Sequence, residues 1–247
     1  MGNEGEGYGA FAYAFDEALG RRFFAALSPL LDELIARYPP SEKTHLDVAC
    51  GTGLAVRYFR SKGYSSVGID ASVPMLRVAR SRGGRLSAGD MRALPLRRTF
   101  STITCLYDSL NHMLSAEDLT AAFVAVREVM SEESLFFFDV NHPDVYRTVW
   151  SLEDPYVSAD GTHRLVMDTV YSSATRQATA HVSGWARVNG QRVEISEQRR
   201  QRCYNSREVR RCLRDAGLRP VELIDFDPFE EGGSRKVKLF FVVQKAK

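Results

Sequence analysis

The stretch His45–Val56, HLDVACGTGLAV, decides how the chain is read. A short apolar run ends in Asp47, a turn of small residues holds Gly51 and Gly53, and a helical pattern starts at Leu54. A strand that stops in a glycine turn and feeds a helix has the geometry to receive a nucleotide-like ligand. Glycine takes φ > 0 at no steric cost and has no Cβ to hold a ligand away from the backbone. A second strand-like run, Ser66–Asp70 (SVGID), ends in Asp70, where a carboxylate can accept two ribose hydroxyls.

Two ligand classes suit a glycine turn followed by a strand-end acid. Dinucleotide sites favour G-x-G-x-x-G/A, with a small third residue and a helix N-terminus facing pyrophosphate. Here the third position is Val56, and Asp47 stands beside the turn. A carboxylate there repels pyrophosphate but suits a ligand carrying an ammonium or sulfonium charge. On these residues the chain resembles the class I S-adenosylmethionine-dependent methyltransferases, whose first motif is an acid, two or three small residues, then Gly-x-Gly.

Size and composition leave room for that reading. The chain has 247 residues, 44% hydrophobic and 26% charged, enough for one large α/β domain or a core with a small lobe. A net charge of +2 argues against a strongly electrostatic, non-specific nucleic-acid binder. The four cysteines (Cys50, Cys105, Cys203 and Cys212) show no C-x-x-C spacing, so neither a metal site nor a disulfide framework is expected. The glycine-rich, acidic N-terminus is unlike a signal peptide, and no apolar run approaches membrane-spanning length. The expected setting is a reducing cytoplasm.

Working outward, Met1–Gly9 reads as a mobile end, and Phe11–Tyr38 as one or two helices stopped by Pro39 and Pro40. Strand and helix signals then alternate: strands at Thr44–Ala49, Ser66–Asp70, Arg85–Ala88, Phe100–Leu106 and Ser134–Val140; helices at Leu54–Lys62, Val73–Arg82 and Ala116–Met130. Such alternation predicts a parallel sheet with helices on both faces. The pattern changes at His163–Ser173, Gln177–Val188 and Arg192–Tyr204. These are long strand-like runs with turn-like separators that include Asn189-Gly190, a hairpin signal. A helix at Ser206–Ala216 closed by Gly217, and strands at Arg219–Asp225 and Lys236–Gln244, finish the chain. The expected fold is α/β, a Rossmann-like seven-stranded methyltransferase sheet flanked by helices with an inserted antiparallel β meander. Residues 1–150 and 204–247 would form the cofactor-binding core, and 151–203 the insertion.

The resemblance assigns roles residue by residue. Asp47, Ala49, Gly51 and Gly53 would line the methionine half of S-adenosylmethionine, and Asp70 would bind its ribose. Ala71 and Met75 would touch the adenine face. Asp90 and Met91 match an acidic-plus-apolar pair beside the adenine, although Gly89-Asp90 also reads as a turn and Met91 as core filler. Tyr107, beyond the fourth strand, is the expected cofactor contact, with Asn111 and His112 facing the acceptor. His112 and His142 are the candidates for a general base, each with the alternative of merely turning the chain. Tyr8–Phe15 (YGAFAYAF) with Asp16 resembles the Y-x-x-F-A-Y-x-Y-D opening of a bacterial small-molecule subgroup, whose N-terminal helix closes over the cofactor. Tyr13 matches its aromatic, while Phe15 replaces the second tyrosine. CYNSREVRRCLRDAGL resembles the penultimate helix of these enzymes.

The implied activity is methyl transfer from S-adenosylmethionine to nitrogen or oxygen of a small-molecule acceptor. Methyl transfer from a sulfonium requires alignment and exclusion of water more than elaborate catalytic groups. Three alternatives stay open: an RNA methyltransferase, a non-catalytic S-adenosylmethionine-binding protein, and, more remotely, an NAD-dependent oxidoreductase. Tyr156, Tyr171 and Trp185 of the meander would line a substrate pocket or form a homodimer surface. The arginines Arg199, Arg200, Arg202, Arg207, Arg210 and Arg211 would bind an anionic substrate or form a solvated face.

Overall fold

The computed structural model describes residues 4–148, 155–228 and 237–246. Seven strands form one sheet: β1 (Thr44–Val48), β2 (Ser65–Asp70), β3 (Arg85–Ala88), β4 (Phe100–Cys105), β5 (Met130–Asn141), β10 (Leu218–Phe226) and β11 (Lys238–Lys245). Their order is β10-β11-β5-β4-β1-β2-β3. The pairs from β5 to β3 are parallel, whereas β11 runs antiparallel to both β5 and β10. Because β1 lies between β2 and β4, chain direction across the sheet reverses there. The ends of β1 and β4 therefore open a crevice at the point where such sheets take their ligands.

The central strands of this sheet are buried, and its edge strands β3 and β10 are not. All six residues of β4 are buried, as is β5 from Ser134 to Asn141, where Phe136, Phe137 and Phe138 feed cores on both faces. Helices α3 (Leu54–Ser61), α4 (Val73–Ser81), α5 (Ala116–Glu128) and α7 (Ser206–Asp215) pack through one apolar stripe each. Side chains cap the N-termini of the last three. Ser72 accepts from the Met75 amide, Ser115 from that of Asp118, and Asn205 with Glu208 forms a reciprocal capping box. The expected strand and helix order holds, with boundaries moved by a residue or two, except that β5 starts at Met130 rather than Ser134 and the first helix at Glu4 rather than Phe11. All four cysteines are free and buried.

A four-stranded antiparallel sheet follows β5 and the short helix α6 (Val145–Thr148): β6 (Tyr156–Val157), β7 (His163–Ser172), β8 (Gln177–Val188) and β9 (Gln191–Arg202). The N-terminal helix α1 (Glu4–Phe15) lies between this sheet and α4. Ala10, Phe11, Ala12 and Ala14 share a buried cluster with Met75 and Val78 on one side and Leu165, Ala180, Val182 and Ile195 on the other. This corrects the expectation of a mobile Met1–Gly9: residues 4–9 are helical, continuing a helix whose second half is gripped on two sides, and 1–3 lie outside the described residues. A single π-helical turn, Asp16–Gly20, joins α1 to α2 (Arg21–Arg37). No helix among the described residues is long and apolar enough to cross a membrane.

Candidate functional site

The C-terminal ends of β1, β2, β4 and β5 form the floor of a cavity of about 520 Å³, and α1 together with β7–β9 forms its roof. At the floor, the backbone leaves β1 through Ala49 at φ 57°, Gly51 at φ 52° and Gly53 at φ 80°. A Cβ on Gly51 would meet nothing within 4 Å, so this glycine faces open cavity. Gly53 has a different use. It lies off the cavity wall, and a Cβ there would stand 3.1 Å from the Ala79 Cβ, so it lets α3 pass close to α4.

Two carboxylates flank the turn. Asp47 is 3% exposed and accepts a 2.5 Å hydrogen bond from the Thr104 hydroxyl. Burial raises its pKa to about 7; the Thr104 hydrogen bond opposes the rise, and the nearby Asp70 charge adds to it. Thr104 in turn is bonded to the fully buried His45, which stacks on Phe59 and which burial holds in the neutral form. Asp70 accepts from the amides of Gly51 at 2.7 Å and Ser72 at 2.6 Å, which fixes its two oxygens between the glycine turn and the start of α4. Burial raises its pKa, and those two N–H groups counter the effect.

Of the other expected cofactor residues, Ala49, Ala71, Met75, Asp90, Met91 and Tyr107 all line the cavity. Asp90 is not free to act alone, because Arg92 grips it at 2.6 Å and reaches Asp118 at 2.8 Å with the same guanidinium. Tyr107 sits at φ 62°, its amide held 2.7 Å from Asp139. Its hydroxyl donates to the Gly20 carbonyl at 2.9 Å, so it presents its ring to the cavity and spends its hydroxyl on the α1–α2 hinge. Tyr13 is not among the lining residues; its ring packs on the cluster around α1, and Phe11 and Phe15 face the cavity instead. The helical phase of α1 sets this, because residues four apart share a face. The Tyr8 side chain lies outside the described residues.

On the acceptor side, His112 lines the cavity and His142 does not. His142 turns away, its Nδ1 accepting from the Asp144 amide at 3.3 Å. The His112 Nδ1 faces the Arg200 carbonyl at 2.9 Å, which requires an N–H there and leaves Nε2 with its lone pair. Burial lowers the pKa of this imidazole. Asn111 is buried, bonded through its side chain to the Arg202 carbonyl and the Asn141 amide, and holds β9 to the end of β5. Tyr156 lines the cavity; Tyr171 stacks on Tyr146, and Trp185 lies under Arg192. Of the six arginines at 199, 200, 202, 207, 210 and 211, Arg199 alone reaches the lining, paired with Glu197 at 2.8 Å and over the Phe11 ring, while Arg207, Arg210 and Arg211 are exposed.

Sequence reasoning missed a buried ionic group at this end. Lys238, 4% exposed on β11, pairs with Asp108 and lies 3.3 Å from Asp139. Burial alone would lower the lysine pKa, but the two carboxylates outweigh it and raise it. Asp139 also accepts from the amides of Tyr107 and Asp108. Asp108, at φ 50°, accepts a 2.5 Å bond from the Gln201 amide of β9. Gln201 was equally unmarked in the sequence. Only the pairing of β5 with β11 and the fold-back of β9 bring these residues together. A second missed group is fully buried Asp16, which binds the Thr52 hydroxyl, Arg21 at 3.0 Å and Arg82 at 2.7 Å. The opening motif's last residue was its signal, and Thr52 lies inside the glycine turn.

Comparison with known proteins matches this architecture. Residues 46–133 fit the family model of a methyltransferase domain. A methyltransferase of Clostridium acetobutylicum ATCC 824, solved as S-adenosylmethionine-dependent, superposes with a TM-score of 0.79 at 22% identity, covering 96% of this chain and 98% of that one. Residues 46–133 thus carry a methyltransferase domain, and the whole chain has the fold of an S-adenosylmethionine-dependent methyltransferase. Over nearly its full length it is also 24% identical to a Geobacillus sp. (strain WCH70) protein described as a methyltransferase, covering 96% of this chain and 99% of the relative. Over 94 residues, 37% of each chain, it is 38% identical to the dTDP-3-amino-3,6-dideoxy-alpha-D-glucopyranose N,N-dimethyltransferase of Streptomyces fradiae. The floor of the cavity suits S-adenosylmethionine, the group named for the Clostridium acetobutylicum structure. The buried carboxylate beside the turn faces the side where a cation belongs, and Gly51 leaves room for backbone approach.

Proposed function

We propose that this methyltransferase acts on a small molecule bearing an amino or hydroxyl group, in the roofed, partly open cavity between the two sheets. The observation that carries this reading is the roof: α1, Tyr156, Met167 and Val182 close over the site and leave a chamber of about 520 Å³, the size of a small-molecule pocket. The similarity to an amino-sugar N,N-dimethyltransferase supports a sugar-like acceptor. S-adenosylmethionine, when bound, supplies a methyl group on a sulfonium, already activated for transfer.

In this reading Asp70 takes the ribose hydroxyls, and Ala71, Met75, Asp90 and Met91 take the adenine. Asp47, Ala49, Gly51 and Tyr107 take the methionine half, with Gly53 shaping the turn from behind. The ionised form of Asp47 balances the positive charge of the ligand. His112 serves the acceptor, its Nε2 lone pair available for an N–H or O–H proton; His142 has no part. The meander strands and α1 act as the cover that keeps water from the reacting groups. The protein works in the cytoplasm.

The test is incubation with S-adenosylmethionine and a panel of nucleotide-linked amino sugars, their hydroxyl counterparts and RNA oligonucleotides, read by mass spectrometry. Methylation of small acceptors and not of RNA is the expected result. Methylation of RNA alone would overturn the reading.

A further inference from the structure

Gln201 of the inserted sheet lines the cavity, and both ends of its amide are engaged. Its carbonyl oxygen accepts from Asn141 Nδ2 at 3.0 Å and from the Tyr146 hydroxyl at 2.9 Å, which fixes the amide orientation. Its nitrogen donates to Asp108 Oδ2 at 2.5 Å and stands 3.4 Å from His112 Nε2. Two acceptors, a carboxylate oxygen and an imidazole lone pair, thus converge on one NH2 group at the wall of the cavity. The acceptors themselves are held rigidly. Lys238 pairs with the Asp108 carboxylate, Asp139 holds the Asp108 backbone amide, and the Arg200 carbonyl fixes the imidazole tautomer.

We propose that Asp108 Oδ2 and His112 Nε2 form a subsite for a primary amino group of the acceptor, and that the Gln201 amide holds this subsite until the amine replaces it. The inference rests on the small-molecule reading above and narrows it to amines. A neutral primary amine donates its two N–H groups to these two acceptors. Its remaining tetrahedral position, the lone pair, is then the one left to face the methyl donor. A hydroxyl offers a single proton and leaves one of the two partly buried acceptors without a partner, which costs affinity. The Gln201–His112 contact is long for a hydrogen bond and is the weaker of the two the amide makes, so it is the one an incoming amine exchanges first. Lys238 is a positioning residue: its ion pair aligns Asp108 without facing the amine itself.

The experiment compares the full-length protein with Asp108→Asn and Gln201→Met. It measures KM for a dTDP-3-amino sugar and binding of its 3-hydroxyl counterpart, with S-adenosylhomocysteine affinity as the control for folding. Asp108→Asn should raise KM for the amine by about tenfold or more, the worth of a charge-assisted hydrogen bond, and remove the preference over the hydroxyl sugar. Its cofactor affinity should not change. Gln201→Met should leave that KM equal or lower. Retention of the amine preference in Asp108→Asn, or a KM rise in Gln201→Met as large as that in Asp108→Asn, would overturn the proposal.

If the wild-type protein methylates no acceptor in the panel, the small-molecule reading fails by itself. The subsite is then judged by titrating methylamine and following the labelled Nε2 resonance of His112. A saturable shift in the wild type that is lost in Asp108→Asn supports the subsite, and no shift in the wild type refutes it.

Discussion

Asp47 shows how one residue ties the fold to its ligand. Its pKa of about 7, against 3.8 for an exposed aspartate, means that near neutrality the folded protein holds a proton the unfolded chain has released. Stability from this group is present in full below pH 3.8 and is lost as pH rises to about 7, because ionisation then costs more in the fold than in water. Asp47→Asn should therefore melt several degrees above the wild type at alkaline pH, a difference that shrinks in acid; calorimetric melting across pH checks this. A cationic ligand reverses the preference, so S-adenosylmethionine should bind more tightly as pH rises through about 7 and release a proton. Asp47→Asn should bind weakly at every pH. Lys238 is the second case. Lys238→Met strands the buried carboxylate of Asp139 and the partly buried one of Asp108, and should cost on the order of 3 kcal/mol in urea unfolding, with partial recovery in Lys238→Met/Asp139→Asn.

At the scale of elements, α1 and the π-helical turn are the parts on which enclosure depends. Asp16 bolts the turn to the glycine loop through Thr52 and to α4's end through Arg82. The Tyr107 hydroxyl clamps the same turn from the far side. Asp16→Asn should loosen this closure, weakening S-adenosylhomocysteine binding by about tenfold through lost charge-assisted bonds while the seven-stranded sheet keeps its far-ultraviolet spectrum. Ala12 is fully buried in the cluster that α1 shares with α4 and the second sheet. Ala12→Glu, which buries a charge without a partner, should open α1 to limited proteolysis near Asp16.

For the whole molecule, most of the sheet was legible because local signals agree with one another. The run from His45 to Val56 contains strand, turn and helix in sequence, and each later βα unit repeats that order. The floor of the site was legible for the same reason, since Asp47, Gly51 and Asp70 sit at strand ends that topology brings together. The roof was not. Whether Tyr13 or Phe11 faces the cavity depends on the helical phase of α1 between two sheets, which no local pattern sets. Gln201 and Lys238 look like ordinary polar positions in strands, and they meet Asp108 only after separations of 93 and 130 residues in sequence. His142 was plausible by position alone, and its bond to the Asp144 amide takes it out of the cavity.

The central claim is that this cavity is the S-adenosylmethionine site and that Asp70 is its cross-piece. Calorimetric titration of S-adenosylhomocysteine into the wild type and into Asp70→Ala tests it most directly. The account predicts saturable binding in the wild type and none in Asp70→Ala, whose circular dichroism stays unchanged. Equal affinity in the two proteins would contradict it.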